Sequence, residues 1–234
     1  MNINPNLEKT GSYINLHLAR TAPVTAPLPT APFITICRES GAGATSLATL
    51  LAQQLNRSRN QTTPVWRIFD DNLVETMLRE KHYPERFARF LPEDTVSEIN
   101  AAIGEITGVH PNLWEMVQKT NALIRRLATE GRCLLVGRSA NFASRGLPNG
   151  LHIRLVADTA DRARHMAAKL GVSEEAAHRH ITHQDSARDH YAREHFSRDI
   201  HDPRAYDVVI NTSRVPLVEA SIMITNMVAA RTLL

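Results

Sequence analysis

The chain of 234 residues is long enough for one large or two small domains, and its core needs no metal or disulfide to hold it together. Hydrophobic residues make up 43% and charged residues 22% of the sequence, a composition that excludes a disordered or fibrous protein. Lys and Arg exceed Asp and Glu by a formal charge of +3, an excess that suits an anionic ligand without requiring a nucleic acid.

The lack of a visible targeting signal and the use of cysteine favour a cytoplasmic protein. The sequence has no apolar run of about 18 residues, so we expect no transmembrane helix, and its start lacks the charged and apolar regions of a secretory signal. Cys37 and Cys133 lie in the apolar runs FITIC and CLLVG, which favours buried, reduced thiols; a disulfide or a metal pair is the alternative.

The first 32 residues are expected to form an N-terminal extension outside the folded domain. Residues 21–32, TAPVTAPLPTAP, are rich in Pro, Ala and Thr and favour an extended tether. Before it, Leu7, Ile14 and Leu16 could lie on a short amphipathic helix. We therefore predict a single folded domain over residues 33–234.

Within that domain, short apolar runs alternate with helical patterns. Five strands are predicted, at residues 32–37, 65–69, 133–136, 152–156 and 208–210. Strands separated by helices indicate a parallel sheet with helices on both faces. The fold class is therefore α/β.

The helices are predicted from leucine spacing and from capping residues. Leu47, Leu50, Leu51 and Leu55 follow a helical period, and a helix from near Asn112 carries Leu113, Val117, Ile124 and Leu127 on one face. A helix from Thr159, the expected N-cap, to Leu170 ends before Gly171, and another begins at Ser173. A closing helix is predicted over residues 216–231.

The glycine-rich segment Arg38 to Ser46 follows the first strand, where ligands bind in parallel α/β sheets. Its glycines and the following helix N-terminus suit a phosphate cradle, although a tight turn capped by Thr45 or Ser46 would look the same. Ala44 stands where a P-loop carries lysine, while Ser46 stands where a hydroxyl could ligate Mg²⁺.

Several segments together resemble the cytidylate kinase-like family of P-loop nucleotide kinases. They are FITICRESGAGATSLATLLAQQL, IFDDNLVETM, CLLVGRSANF, DSARDHY and DPRAYDVVINTSR, and they span about residues 33–225. The resemblance implies a three-layer P-loop NTPase fold with a five-stranded parallel sheet, a helical insertion for the nucleoside monophosphate at about 72–129, and a lid at about 172–202. It also implies ATP- and Mg²⁺-dependent phosphoryl transfer to a nucleoside monophosphate, nominally CMP or dCMP, or to another small phosphate acceptor.

The resemblance assigns residues to the phosphates and to the acceptor. The phosphate loop is implied to comprise Ser40, Gly41, Ala42, Gly43, Ala44, Thr45 and Ser46. Arg38 could supply the missing positive charge, or could pair with Glu39 or Asp70 at a surface edge. Asp70 is placed near the acceptor nucleotide, with a helix cap as the alternative. The forked guanidinium group of Arg138 suits the phosphate of an acceptor monophosphate, and a structural ion pair is the alternative.

In the implied lid, Asp185 and Arg188 have the i, i+3 spacing that lets a carboxylate orient a guanidinium on one helix face. Arg193 adds a second cation, so that Arg38, Asp185, Arg188 and Arg193 form the expected catalytic set. A solvated charged helix is the alternative. The segments at 202–207 and 211–213 could contact adenine or be structural.

Departures from the family pattern leave a second function open. Ala44 removes the loop lysine, and Ile181 and Thr182 replace an Arg-Asp pair of the lid. A non-catalytic, nucleotide-binding regulatory protein is therefore the alternative to an enzyme.

Seven of the 11 histidines lie between His165 and His201. His178, His180 and His183 have a spacing that does not bring them to one helix face, so a solvated helix is favoured over a metal site. If they contact phosphates, nucleotide affinity should rise below about pH 6.5. No nucleic-acid-binding motif is present, and the oligomeric state is left open.

Overall fold

A computed structural model describes residues 31–57, 65–70, 113–137 and 139–232. The predictions for the N-terminal extension before residue 31, for the insertion up to residue 112 and for Arg138 lie outside the described residues.

Five parallel strands form one sheet in the order β2-β3-β1-β4-β5. The strands are β1 (Phe33–Arg38), β2 (Arg67–Phe69), β3 (Cys133–Val136), β4 (Gly150–Val156) and β5 (Val208–Asn211). All five predicted strands and their parallel arrangement are confirmed, with boundaries that differ by up to two residues. Because β1 lies at the centre, the loop that follows it emerges in the middle of the carboxyl edge.

The helices flank the sheet and extend above its carboxyl edge. They are α1 (Ala44–Arg57), α2 (Leu113–Glu130), α3 (Ala140–Ala143), α4 (Thr159–Leu170), α5 (Glu174–Phe196) and α6 (Leu217–Thr232), with a short 3₁₀ turn at Pro203–Ala205. Asp158, rather than Thr159, takes the N-cap position of α4, because its backbone is still extended there. The predicted caps at Gly171 and Ser173 are confirmed, and the Ser173 hydroxyl accepts from the amide of Ala176.

The strands are apolar on both sides because each face carries a helical layer. Ile34 and Ile36 point toward α1 and α6, where Leu47, Leu51 and Ile224 belong to the same buried cluster. On the other face, Phe33, Phe69 and Leu135 pack with Leu123, Ile124 and Leu127 of α2. This three-layer arrangement is the one expected for a parallel sheet. None of the helices in the described ranges combines the length and hydrophobicity that crossing a membrane requires.

Both cysteines are free thiols. Cys133 is buried on β3, and this burial raises the pKa of its thiol far above the usual range. Cys37 is half-buried at the end of β1, where it lies opposite Arg154 of β4 in the strand register.

Candidate functional site

The glycine loop between β1 and α1 is shaped by two close contacts. Gly41 and Gly43 have φ angles of +84° and +86°, which side chains rarely adopt. A Cβ atom at Gly41 would lie 2.8 Å from the Arg162 carbonyl oxygen, and one at Gly43 would lie 3.0 Å from the Leu217 side chain. The loop is thus held tightly between the first turns of α4 and α6.

Helix α5 is docked on this loop through Gln184 and Asp185. The Ser40 amide donates to the Asp185 carboxylate at 2.7 Å, and the Ser40 hydroxyl donates to the Gln184 side-chain oxygen at 2.6 Å. Arg188 donates to both residues, at 3.1 Å and 3.2 Å. The structure therefore joins the predicted Asp185-Arg188 pair to the predicted phosphate loop.

Arg162, which the sequence analysis did not single out, is the centre of the charged cluster. Its side chain is 10% exposed and donates to the Ser40 carbonyl oxygen at 3.2 Å and to Asp185 at 2.5 Å. It also lies 3.5 Å from the Glu39 carboxylate and donates to the Ala157 carbonyl oxygen. The sequence signal was an arginine in the first turn of a helix that directly follows a central strand.

Arg154 on β4 is a second functional candidate that the sequence analysis missed. Its side chain is 3% exposed, and its guanidinium donates to the Cys37 sulfur at 3.3 Å and to His201 Nδ1 at 3.2 Å. Among the described residues, Glu39 is the one carboxylate within 4.0 Å of it. A charge between Ile153 and Leu155 of an otherwise apolar strand was the signal that could have revealed it.

Arg38, Asp70 and Thr45 form a smaller group at the ends of β1 and β2. Arg38 Nη2 lies 4.0 Å from Asp70 Oδ1, and the Thr45 hydroxyl donates to Asp70 Oδ2 at 3.2 Å. The structure thus includes the Arg38-Asp70 ion pair that was one of the two interpretations of Arg38. Of the two hydroxyl residues that begin α1, Thr45 rather than Ser46 faces Asp70.

Two predicted site residues supply no charge to the carboxyl edge of the sheet. Arg193 is 64% exposed and pairs with Asp189 one helical turn earlier, on the surface of α5. Ala44 is buried in the core cluster under α1, so the loop carries no cation at the position of the P-loop lysine.

Two cavities open beside the loop, and Arg162 lines both. The first, which we call the α5 cavity, has a volume of about 350 Å³ and is lined by residues that include Arg38, Glu39, Arg154, Arg162, Asp185 and His201. The second, the loop cavity, has a volume of about 330 Å³ and is lined by residues that include Gly41, Gly43, Asp161, Arg162, Arg164 and Ser213. Arg162 is thus a wall that the two cavities share.

The segments at 202–207 and 211–213 differ in what they contact. The Thr212 hydroxyl donates to the Ala42 carbonyl oxygen at 3.1 Å, and Thr212 and Ser213 line the loop cavity. Tyr206 makes a structural contact, since its hydroxyl donates to the Ile200 carbonyl oxygen at 2.8 Å. Burial raises the pKa of this hydroxyl.

The histidines between His165 and His201 do not line a single cavity. His178 and His201 line the α5 cavity, whereas His165 lines the loop cavity. His195 is packed against Tyr191, and burial lowers the pKa of its imidazole.

Comparisons with known proteins agree with this architecture. A solved structure described as an uncharacterized protein from Eubacterium ventriosum is 19% identical, covers 86% of this chain and 99% of its own, and superposes with a TM-score of 0.63. A shikimate kinase from Bacteroides thetaiotaomicron is 15% identical, covers 85% of this chain and 98% of its own, and gives a TM-score of 0.46. No curated protein matches the chain. Residues 33–214 match the sequence profile of the cytidylate kinase-like family, and the chain belongs to that family.

Proposed function

We propose that this protein catalyses ATP- and Mg²⁺-dependent phosphoryl transfer to a small phosphate acceptor, with CMP and dCMP the first acceptors to test. The observation that carries the proposal is that two cavities beside a tight glycine loop share Arg162 as a lining residue. Phosphoryl transfer requires that donor and acceptor meet at one point where negative charge is neutralised. The loop cavity would take the nucleotide, and the α5 cavity would take the acceptor.

The charges around this point suit the reaction. Arg162 and Arg188 both donate to Asp185, and Arg38 lines the same cavity. Guanidinium groups that are already positioned stabilise the charge that spreads over a transferred phosphoryl group. In the proposal these arginines orient the phosphates, while the docked α5 restricts water at the point of transfer.

Mg²⁺ prefers oxygen ligands, and the donors beside the loop fit this preference. The Thr45 hydroxyl and the Asp70 carboxylate present two oxygens 3.2 Å apart at the start of α1. We therefore assign the predicted metal contact to Thr45 and Asp70 in place of Ser46. When bound with the nucleotide, Mg²⁺ would neutralise phosphate charge.

A regulatory protein that binds nucleotide without turnover is the second candidate. Two observations favour it: the buried Ala44 in place of lysine, and the Asp185 carboxylate on the Ser40 amide of the loop. The loss of one phosphate cation commonly lowers a rate by roughly 10²-fold or more.

The test is ADP formation by purified protein with Mg·ATP and a panel of nucleoside monophosphates. The kinase proposal expects acceptor-dependent turnover that Arg188→Ala lowers by roughly 10²-fold. Arg179→Ala is the matched control, since Arg179 lies on the same helix, is 67% exposed and, among the described residues, pairs with Glu175 one turn away. Tight ATP binding without turnover on any acceptor would favour the regulatory protein. Equal loss in both variants would contradict the assigned site.

A further inference from the structure

The α5 cavity contains a buried cation whose charge is only partly compensated. Arg154 is 3% exposed, and its guanidinium donates to the Cys37 sulfur and to His201 Nδ1, a thiol and an imidazole rather than a carboxylate. The Tyr206 ring lies 5.8 Å from its guanidinium carbon. Buried charges in proteins are normally paired with an opposite charge in hydrogen-bond contact, and Glu39, at 4.0 Å, does not provide this.

Glu39 is itself committed to other groups. One of its carboxylate oxygens accepts from the Ala157 amide at 3.1 Å and lies 3.5 Å from Arg162 Nε. Its other oxygen is the one 4.0 Å from Arg154. Glu39 therefore lies between two cations of the cavity, Arg162 beside the loop and Arg154 beside His201. The His201 ring in turn has carboxylate oxygens of Asp189 and Asp199 within 4.8 Å.

The remaining walls of the cavity, among the described residues, are mostly charged or polar. His178 and Thr182 are exposed and border the cavity, so its interior is accessible from solvent beside α5. Ile200 is its aliphatic member, and no aromatic ring on which a base could stack belongs to its described lining apart from the two imidazoles. A volume of about 350 Å³ holds a small molecule.

We propose that the Arg154 and His201 region of the α5 cavity binds an oxyanion of the acceptor, a phosphate or a carboxylate group. A guanidinium offers a planar fork of donors that matches either anion, and burial strengthens the attraction. The acceptor is then a small phosphorylated or carboxylated molecule selected by its charge. That the bound molecule is a phosphate acceptor rests on the proposed function, whereas the presence of an anion site does not.

The test is calorimetric titration of the full chain with inorganic phosphate and, separately, with acetate. We expect saturable binding of at least one of them, and the tighter ligand distinguishes a phosphate site from a carboxylate site. Arg154→Met should weaken that binding by about tenfold or more, because one charge-assisted pair is lost. The control Arg179→Met should leave it unchanged, since Arg179 is 67% exposed, pairs with Glu175 on the surface of α5 and lines neither cavity.

Thermal unfolding separates a binding role of Arg154 from a structural one. Methionine fills a similar volume without a charge, so Arg154→Met should unfold at the same or a higher temperature than the unaltered protein in the absence of anion. Added anion should raise the unfolding temperature of the unaltered protein but not of the variant. Arg154→Lys, which keeps the charge and loses the fork, should bind with intermediate affinity and serves if the methionine variant does not fold.

Three results would overturn the proposal. They are unchanged anion affinity in Arg154→Met or Arg154→Lys, a fall in unfolding temperature with no change in affinity, and the absence of saturable binding by either anion. These measurements involve no turnover, so a failure of the proposed kinase activity would be seen separately.

Discussion

At the scale of single residues, Arg162 explains how the site can lack the loop lysine. Its guanidinium lies against the Ser40 carbonyl oxygen and the Asp185 carboxylate, and its side chain borders both cavities. A positive charge is thus present beside the loop, although it comes from α4 and not from the first turn of α1. We expect Arg162 to contact the nucleotide phosphates in place of a lysine at position 44.

This role of Arg162 can be tested with two substitutions of the same residue. Arg162→Met should weaken Mg·ATP binding by roughly 10²-fold, whereas Arg162→Lys, which keeps the charge, should retain a large part of the affinity. Urea unfolding shows whether each variant is folded, and equilibrium binding of a fluorescent ATP analogue measures the affinity of all three proteins.

Equal losses of affinity in Arg162→Met and Arg162→Lys would contradict this role of the arginine charge. Arg179→Met is the control, since Arg179 is 67% exposed and pairs with Glu175 on the surface of α5.

The sequence predicted those site residues whose relationship is local. Asp185 and Arg188 lie three residues apart on one helix, so their pairing follows from helical geometry. Arg162 and Ser40 are 122 residues apart, and only the parallel arrangement of β1 and β4 brings them together. For Arg154 the informative feature was its position in a buried strand, which spacing rules do not evaluate.

At the scale of elements, the packing of α4 against the glycine loop sets the position of the site. The loop approaches α4 so closely that Gly41 cannot be replaced without displacing the Arg162 backbone. The element that carries the main cation is therefore fixed to the loop that would hold the phosphates. The sequence predicted both elements, but not that they touch.

The contact can be tested by comparing two glycines with similar backbone angles. Gly41→Ala should lower the free energy of unfolding by roughly 1–3 kcal/mol and weaken ATP binding, because its φ of +84° and the contact with Arg162 both oppose a side chain. Gly171→Ala has a φ of +69° but no atom within 4 Å, so we expect only about 1 kcal/mol and unchanged binding. Urea unfolding and ATP titration provide the two measurements.

Similar losses of stability and of ATP affinity in the two glycine variants would mean that the positive φ angle alone causes them. The close packing of α4 on the loop would then have no role of its own.

At the scale of the whole molecule, the histidines contribute to stability as well as to the cavities. His152 on β4 is packed edge-on against Phe33, with its Nδ1 atom 2.8 Å from the Thr35 hydroxyl. Burial lowers the pKa of His152 below its ordinary value of 6.5. The folded state therefore takes up a proton less readily than the unfolded chain.

The resulting pH dependence has a definite sign. Above pH 6.5 the imidazole is neutral in both states and stability is complete, whereas below it the unfolded chain gains a proton first. We expect the free energy of unfolding to fall as the pH is lowered from 7 to 5. The fall should be smaller in His152→Asn, whose amide can replace Nδ1 in the bond to Thr35.

The matched control is His178→Asn, at an exposed position on α5. Urea unfolding of the three proteins at pH 7 and pH 5 provides the comparison. A fall of the same size in His152→Asn and in the unaltered protein would show that His152 does not cause it.

The docking of α5 on the loop has a consequence for how tightly any phosphate can bind. In the structure, the Ser40 amide, Arg162 and Arg188 all converge on the Asp185 carboxylate. An incoming phosphate that uses these donors must displace that internal anion, so the net gain is the difference between two anions on the same donors. In the proposed reaction, this arrangement lowers the affinity for phosphate but keeps the donors aligned before the nucleotide binds, and the product leaves as the carboxylate returns.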